Sequence, residues 1–226
     1  MSEFTLISQI KKNFPSKNPK LIKGIGDDCA VIDRGNFYEI ITTDMYIEED
    51  HFSMKWSSPY QIGVKAYEGT VSDIAAMGGM PKYLLVSLCI SKKVDEKKFI
   101  KKFYEGFKSR IDYWNKFFKN RYIPNTIYYI PSLIGGDLTH GDLICVNVTA
   151  IGEIKKRDCI MRSGAKIGDL ICVTGSLGAS WAGLEYLKEK EKEKKAIFHI
   201  PNSVFQNCIQ KNLEPHCRLD AAQILK

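Results

Sequence analysis

The chain has 226 residues, of which 44% are hydrophobic and 26% charged, with a formal net charge of +7. This is the composition of a globular protein of one large domain or two modest ones, able to bury a core without staples. Its apolar runs fall short of the roughly 18 to 20 residues that cross a bilayer, and Met1 to Ile10 has neither a basic start nor a long apolar stretch, so a cytoplasmic protein is expected. The positive charge would suit nucleic acid or a phosphorylated small molecule, but much of it comes from lysines scattered over solvated faces, so charge alone does not choose. The seven cysteines form no Cys-x-x-Cys pair and mostly sit in apolar runs such as Leu-Ile-Cys145-Val, which reads as a reduced, packed set.

In chain order, Phe4 to Phe14 reads as a short amphipathic helix ending before Pro15. Gly24-Ile25-Gly26-Asp27-Asp28 follows, a tight glycine turn that delivers two adjacent carboxylates able to hold a hard cation such as Mg²⁺. The same five residues also describe an ordinary solvated turn. Cys29 to Ile32 is a predicted strand, and Tyr38 to Thr42 is a second. That second strand ends in Thr42, Thr43 and Asp44, whose oxygens can ligate Mg²⁺ or meet phosphate, or simply cap a turn. His51, between Asp50 and Phe52, reads by itself as a surface or half-buried packing residue. Pro59 opens a helix in which Val64, Tyr67, Val71 and Ile74 share one face. Asp73 lies off that stripe, in Ser72-Asp-Ile-Ala-Ala-Met-Gly-Gly79, where small residues let another element or a ligand approach.

Tyr83 to Ile90 is a predicted strand and Asp95 to Trp114 a helix. Gly106, just after Tyr104, costs that helix about 1 kcal/mol relative to alanine and hints at close packing or a ligand contact. Residues 115 to 131 mix aromatics with Lys116, Lys119 and Arg121, a pattern that can bind single strands but is read first as a helix edge followed by a strand. Gly135-Gly136-Asp137 in the Leu133 to Gly141 stretch is again a strand end carrying glycines and a carboxylate, and the alternating strand Leu143 to Ile151 follows. Arg162-Ser-Gly-Ala-Lys166 precedes an expected strand over Asp169 to Val173. Thr174 to Gly178 then opens a helix to Leu187, through a turn that suits phosphate or a plain connection. Lys188 to Lys195 reads as a solvated helix end. Phe198 to Lys226 holds a turn at Pro215 and a last helical run.

Taken together and in this order, Gly-Ile-Gly-Asp-Asp, Thr-Thr-Asp-Met with the later His51-Phe52, Ser-Asp-Ile-Ala-Ala-Met-Gly-Gly, Gly-Gly-Asp and Arg-Ser-Gly-Ala-Lys closely resemble the thiamine-monophosphate kinases. These belong to the aminoimidazole-ribonucleotide synthetase and selenophosphate synthetase superfamily. The resemblance runs from the first helix to Leu213-Glu-Pro-His-Cys-Arg218. It implies transfer of the γ-phosphoryl group of ATP onto thiamine monophosphate, helped by several Mg²⁺ ions, with no covalent or general-base residue. It further implies that Asp27, Thr42, Thr43, Asp44, Asp73 and Asp137 hold Mg²⁺, that Asp28 shares the work of Asp27, that Tyr104, Gly136, Asp137 and Arg162 line the ATP site, and that His51 contacts thiamine monophosphate.

The implied fold is α+β. An N-terminal ATP- and Mg-binding domain, residues 1–153, has a mixed or antiparallel sheet through which two copies form a homodimer. An incomplete α/β C-terminal domain, residues 154–226, follows. The chain departs from the family at Glu49 and Asp50, where a glycine and an apolar residue are usual, in an insertion between Tyr104 and Asp137, and at Lys226, where family members continue. The absence of a Gly-Lys-Ser/Thr phosphate loop and of Asp-Phe-Gly argues against the commoner kinase folds. The alternatives are another ATP-using member of the superfamily and a non-catalytic nucleotide-binding remnant; neither nucleic acid nor a membrane is expected as a partner.

Overall fold

The protein is represented by a computed structural model that describes residues 1–120, 131–191 and 202–226. Its centre is a six-stranded mixed sheet of strands β1 (Leu21–Lys23), β2 (Ala30–Asp33), β3 (Tyr38–Ile47), β4 (Met80–Ser91), β5 (Ser132–Gly141) and β6 (Cys145–Ile154), in the order β1-β2-β3-β6-β4-β5. All neighbours are antiparallel except β4 and β5. Parallel strands need a long crossover, and α3 (Glu96–Asn120) supplies it. With its helices the fold is α+β, as expected. No helix among the described residues is long and apolar enough to cross a membrane.

Helix α2 (Pro59–Ala76) starts where its sequence says it should. Ser58 accepts from Gln61 N at 3.3 Å, Gln61 Oε1 accepts from Ser58 N at 3.0 Å, and Pro59 fills the first turn. Its predicted stripe, Val64, Tyr67, Val71 and Ile74, is buried. Beneath it lie Ile40, Leu84, Val86, Val146, Val148 and Ala150, every second residue of three central strands. The intervening residues, among them Thr43, Met45, Leu85, Asn147 and Thr149, face the other side of the sheet, which no described helix covers.

Phe99, Phe103, Phe107, Ile111, Trp114 and Phe118 form the buried stripe of α3. A Cβ on Gly106 would stand 2.0 Å from the Tyr60 carbonyl oxygen, and one on Gly63 would stand 2.1 Å from that of Phe103. The Gly106 signal is therefore backbone-to-backbone contact between α2 and α3.

Four further segments are α1 (Glu3–Asn13), α4 (Ala179–Glu191), α5 (Asn202–Leu213) and α6 (Leu219–Leu225). Cys217, Leu219 and Ala222 join the same core cluster as Tyr67 and Trp114. Their turn is pinned to the side chain of Glu68 on α2. That carboxylate accepts from Cys217 N at 2.7 Å and Trp114 Nε1 at 3.2 Å, and is paired with Arg110 Nε.

Some expectations need correction. Strand β3 runs on through Thr42, Thr43 and Asp44, and β5 runs through Gly135, Gly136 and Asp137, so both motifs sit within strands and not at their ends. Helix α3 continues to Asn120, and α4, which opens after Gly178 as expected, runs past Leu187 to Glu191. Residues 169 to 173 form no strand: Leu170 and Ile171 are 90% and 99% exposed, and an extended segment becomes a strand only with a neighbour to share its hydrogen bonds. Arg121, the strand expected before Pro131 and the end of the Lys188 to Lys195 stretch lie outside the described residues.

Candidate active site

The glycine turn makes a real corner. Gly26 takes φ +110°, a conformation side-chain-bearing residues rarely adopt, and the chain turns so that the Asp27 side chain points inward and is fully buried. Asp27 Oδ1 accepts from Asp28 N at 3.1 Å and from Arg162 N at 3.2 Å. Lys23 Nζ stands 3.2 Å from Oδ2, yet no hydrogen bond of good geometry reaches that buried oxygen. Arg162 turns its guanidinium to Asp28, with Nε 3.1 Å from Oδ1 and Nη2 closer still.

Alternation along β3 brings the second contribution. Thr42 and Asp44 share the helix-facing side, and Thr42 Oγ1 donates to Asp73 Oδ2 on α2 at 2.7 Å. Tyr46, one pleat further on, donates its hydroxyl to Asp44 Oδ2 at 3.2 Å. Burial, with crowding by Asp44 and Asp28, raises the Asp73 carboxyl to about 6, against the lowering by Thr42 and Arg162. Burial and then Asp73, Asp28 and Asp27 push the Cys29 thiol far up. A corner of this kind favours a cation.

Other predicted residues lie elsewhere. Thr43 projects from the opposite face of the sheet, where its hydroxyl meets Thr149 Oγ1 at 3.1 Å and Asn147. Asp137 is exposed on β5, opposite Ser87, with β4 and β6 between it and β3; three strand spacings put it roughly 14 Å from Asp44 across the sheet. Gly136 is there because a Cβ would fall 1.8 Å from the Val86 carbonyl oxygen. Tyr104 packs its ring against Phe103 and Phe107 on α3, centroids 5.2 and 6.4 Å away.

His51 sits in the loop after β3, its Nδ1 accepting from Ile47 N at 3.2 Å and its ring 5.9 Å from that of Tyr46. Asp44, Tyr46 and His51 thus connect the acidic corner to a cavity of about 400 Å³ lined by Glu49, Asp50, His51, Trp56 and, from α4, Leu184 and Lys188. Glu49 adopts φ 72°, the one non-glycine residue with positive φ in the described chain. Such strain, of order 1 kcal/mol or more, is concentrated at functional loops. Sequence reasoning missed Tyr46 and Lys65, whose Nζ donates to the His51 carbonyl at 2.8 Å. Extending β3 by two pleats would have found Tyr46, since it shares a face with Asp44.

Residues 26–154 match the family model described as AIR synthase related protein, N-terminal domain. The chain belongs to that family. Among curated relatives, the thiamine-monophosphate kinase of Bacillus subtilis is 41% identical over 192 residues, covering 84% of this chain and 54% of the relative. That of Methanocaldococcus jannaschii is 36% identical over 222 residues, covering 97% and 64%. A solved structure of AaThiL complexed with AMPPCP and TMP superposes with a TM-score of 0.78 at 32% identity, over 99% of this chain and 62% of that one. The chain therefore spans between about half and two thirds of the length of these relatives.

Within this AIR synthase related domain, the donor set suits a hard divalent cation: carboxylate and hydroxyl oxygens, one of them buried and unbonded. Among the described residues no three His, Cys, Asp or Glu side chains already converge on one ion position. The fit therefore rests on the buried Asp27 oxygen, which has Lys23 near it but no hydrogen bond of good geometry, and on the crowded Asp73.

Proposed function

We propose that this chain carries the Mg²⁺·ATP corner of a thiamine-monophosphate kinase. The phosphate of thiamine monophosphate attacks the γ-phosphorus of ATP, the bond to the bridging oxygen breaks, and thiamine diphosphate and ADP leave. The observation that carries the reading is that Asp73 accepts from Thr42 and is crowded by Asp44 and Asp28, beside a buried Asp27 carboxylate whose Oδ2 has only Lys23 near it. The resemblance to the Bacillus subtilis enzyme and to AaThiL supports it.

Asp27, Thr42, Asp44 and Asp73 would hold Mg²⁺, which neutralises phosphate charge during transfer. Thr43 would enter only through its main chain, its hydroxyl being on the far face. Arg162 would leave Asp28 to meet a phosphate oxygen, exchanging one charge-assisted contact for another. His51 and the cavity beside it would receive thiamine monophosphate. Use of ATP would fit a cytoplasmic enzyme.

Tyr104, Gly136 and Asp137 belong to the β4–α3–β5 crossover, and Asp137 is remote from the corner of its own chain. A homodimer formed through the uncovered sheet face would bring the crossover of one protomer to the corner of the other, and would restore Asp137 to the Mg²⁺ set. On this reading residues 1–153 bind nucleotide and dimerise, and residues 154–226 begin a second domain.

The test combines calorimetric titration of the chain with ATP, with and without Mg²⁺, and chromatography for thiamine diphosphate. Mg²⁺-dependent ATP binding with product supports the kinase. Binding without product reduces the chain to a nucleotide-binding half, and turnover with a different acceptor assigns another activity of the superfamily. Absence of Mg²⁺-dependent binding overturns the reading.

A further inference from the structure

The loop after β3 closes on its own backbone. The Ile47 carbonyl accepts from Asp50 N at 3.3 Å and His51 N at 2.9 Å, the Phe52 carbonyl accepts from Glu49 N at 2.7 Å, and Glu49 takes φ 72° to make the turn. The His51 carbonyl is held from outside the loop, by Lys65 Nζ on α2 at 2.8 Å. Lys65 is half-buried, and burial lowers its ammonium below the ordinary value with no carboxylate offsetting it. A charge taken partly out of water and spent on a main-chain carbonyl is a costly tether.

Lys65, Gly69 and Asp73 follow one another at four-residue steps along one side of α2. Gly69 leaves room for Tyr46, whose hydroxyl would stand 2.1 Å from a Cβ there and which reaches on to Asp44. The helix that places Asp73 at the acidic corner therefore also places, about 12 Å back along its axis, the ammonium that holds the His51 loop.

His51 Nδ1 accepts from Ile47 N at 3.2 Å. A backbone N–H only donates, so this ring nitrogen carries no proton and the ring proton sits on Nε2. Asp50 Oδ2 stands 3.4 Å from the same Nδ1 and is the acceptor a protonated Nδ1 would use. The lysine contact and the ring contact belong to one residue, so a loop released from Lys65 would free the ring to turn. While it is held, Nε2–H is the donor left for a group in the cavity that His51 lines.

We propose that Lys65 is a positioning residue for the acceptor: through the His51 carbonyl it holds the imidazole as an Nε2–H donor to a phosphate oxygen of thiamine monophosphate. The identity of the acceptor rests on the kinase reading; the role of Lys65 rests on the loop geometry.

The full chain, labelled with heavy nitrogen in its histidines, is compared with Lys65→Met by NMR of the ring nitrogens, with His51→Asn identifying the His51 signals. The unsubstituted chain should show a protonated Nε2 and a bare Nδ1, and Lys65→Met a mixture of the two tautomers. In calorimetry with Mg²⁺ and AMPPCP present, thiamine monophosphate should bind Lys65→Met on the order of tenfold more weakly, as for one hydrogen bond to a charged group. Binding of unphosphorylated thiamine and of Mg²⁺·AMPPCP itself should not change. A His51 ring protonated at Nδ1 in the unsubstituted chain overturns the proposal. So does a Lys65→Met variant that keeps the single tautomer or the full affinity, even with a lower unfolding midpoint, since that is a packing role alone. If the unsubstituted chain binds no thiamine monophosphate, the acceptor assignment fails, and the ring signals still decide whether Lys65 sets the tautomer. Should Lys65→Met not fold, Lys65→Gln, whose polar group stops short of the carbonyl, takes its place with the same expectations.

Discussion

Helix α2 carries two carboxylates five residues apart, Glu68 and Asp73, and they are handled in opposite ways. The Glu68 side chain is fully buried and meets Arg110, Trp114 Nε1 and the backbone N–H of Cys217. Asp73 is half-buried and has one hydroxyl donor; burial, then crowding by Asp44 and Asp28, raises its carboxyl to about 6. A buried charge whose lone pairs are all used locks a fold, whereas one left with spare lone pairs among like charges holds capacity for a ligand. The first ties α2 and α3 to the 214–217 turn. The second opens on the corner proposed to hold metal and nucleotide.

Breaking the satisfied carboxylate should have the largest effect. Glu68→Ala leaves Arg110 and the Cys217 N–H without their partner and should cost about 3 to 5 kcal/mol in denaturant unfolding. The fraction that remains folded should bind Mg²⁺·ATP as before; lost binding in that fraction would erase the distinction between the two carboxylates.

The reverse pattern is expected at the corner. Asp73→Asn or Asp44→Asn should weaken Mg²⁺-dependent ATP binding by at least on the order of 100-fold in calorimetry, as removal of a direct ligand exceeds the usual cost of an outer-shell change. Stability should hold or rise, because a crowded charge is removed. Unchanged affinity in a folded variant would remove Asp73 or Asp44 from the site.

A smaller effect tests the scaffold under both. Gly106→Ala forces α3 off Tyr60 and should destabilise by roughly 2 kcal/mol, with α2 displaced and the Glu68 network loosened. Wild-type stability in this variant would show that the helices slide apart without penalty.

The smallest effect is a pH dependence at the satisfied end. His216 stacks on Trp114, with ring centroids 4.8 Å apart, and faces Glu68, Arg110, Asp220 and Arg218; burial, the largest influence, lowers it below its ordinary 6.5. Its folded-state value is depressed, so the unfolded chain takes up the proton first. The contribution is whole above 6.5 and is lost as pH falls from there through the lower folded-state value. Denaturation midpoints measured across this range should decline toward acid, and His216→Phe should flatten the decline. An unchanged slope would assign it to other groups.

Much of this architecture was legible in the chain. The stripe on α2 was readable from spacing, its start from Pro59, and the short first helix from its stop at Pro15. The acidic corner was legible as pieces, because glycine before carboxylate and hydroxyl beside carboxylate have chemical meaning at short range. Strand ends were misjudged at Thr42 and Asp137, since a polar motif inside a strand looks locally like its termination. The expected strand at 169 to 173 failed for the converse reason: its residues have the right character, but a strand exists only through its neighbour.

By itself, then, the sequence determined the periodic faces, the caps, the turn at Gly26 and the kinds of oxygen available for a cation. These depend on residues within a few positions of one another. The tertiary structure alone decided that Thr42 meets Asp73 while Thr43 faces away, that Arg162 reaches back to Asp28, that Asp137 stands apart from Asp44, and that Lys65 reaches the His51 carbonyl. Each is a matter of strand register or long-range pairing. A shift of one residue along a strand reverses which face a side chain occupies, and nothing local to Thr42 or Thr43 records that choice.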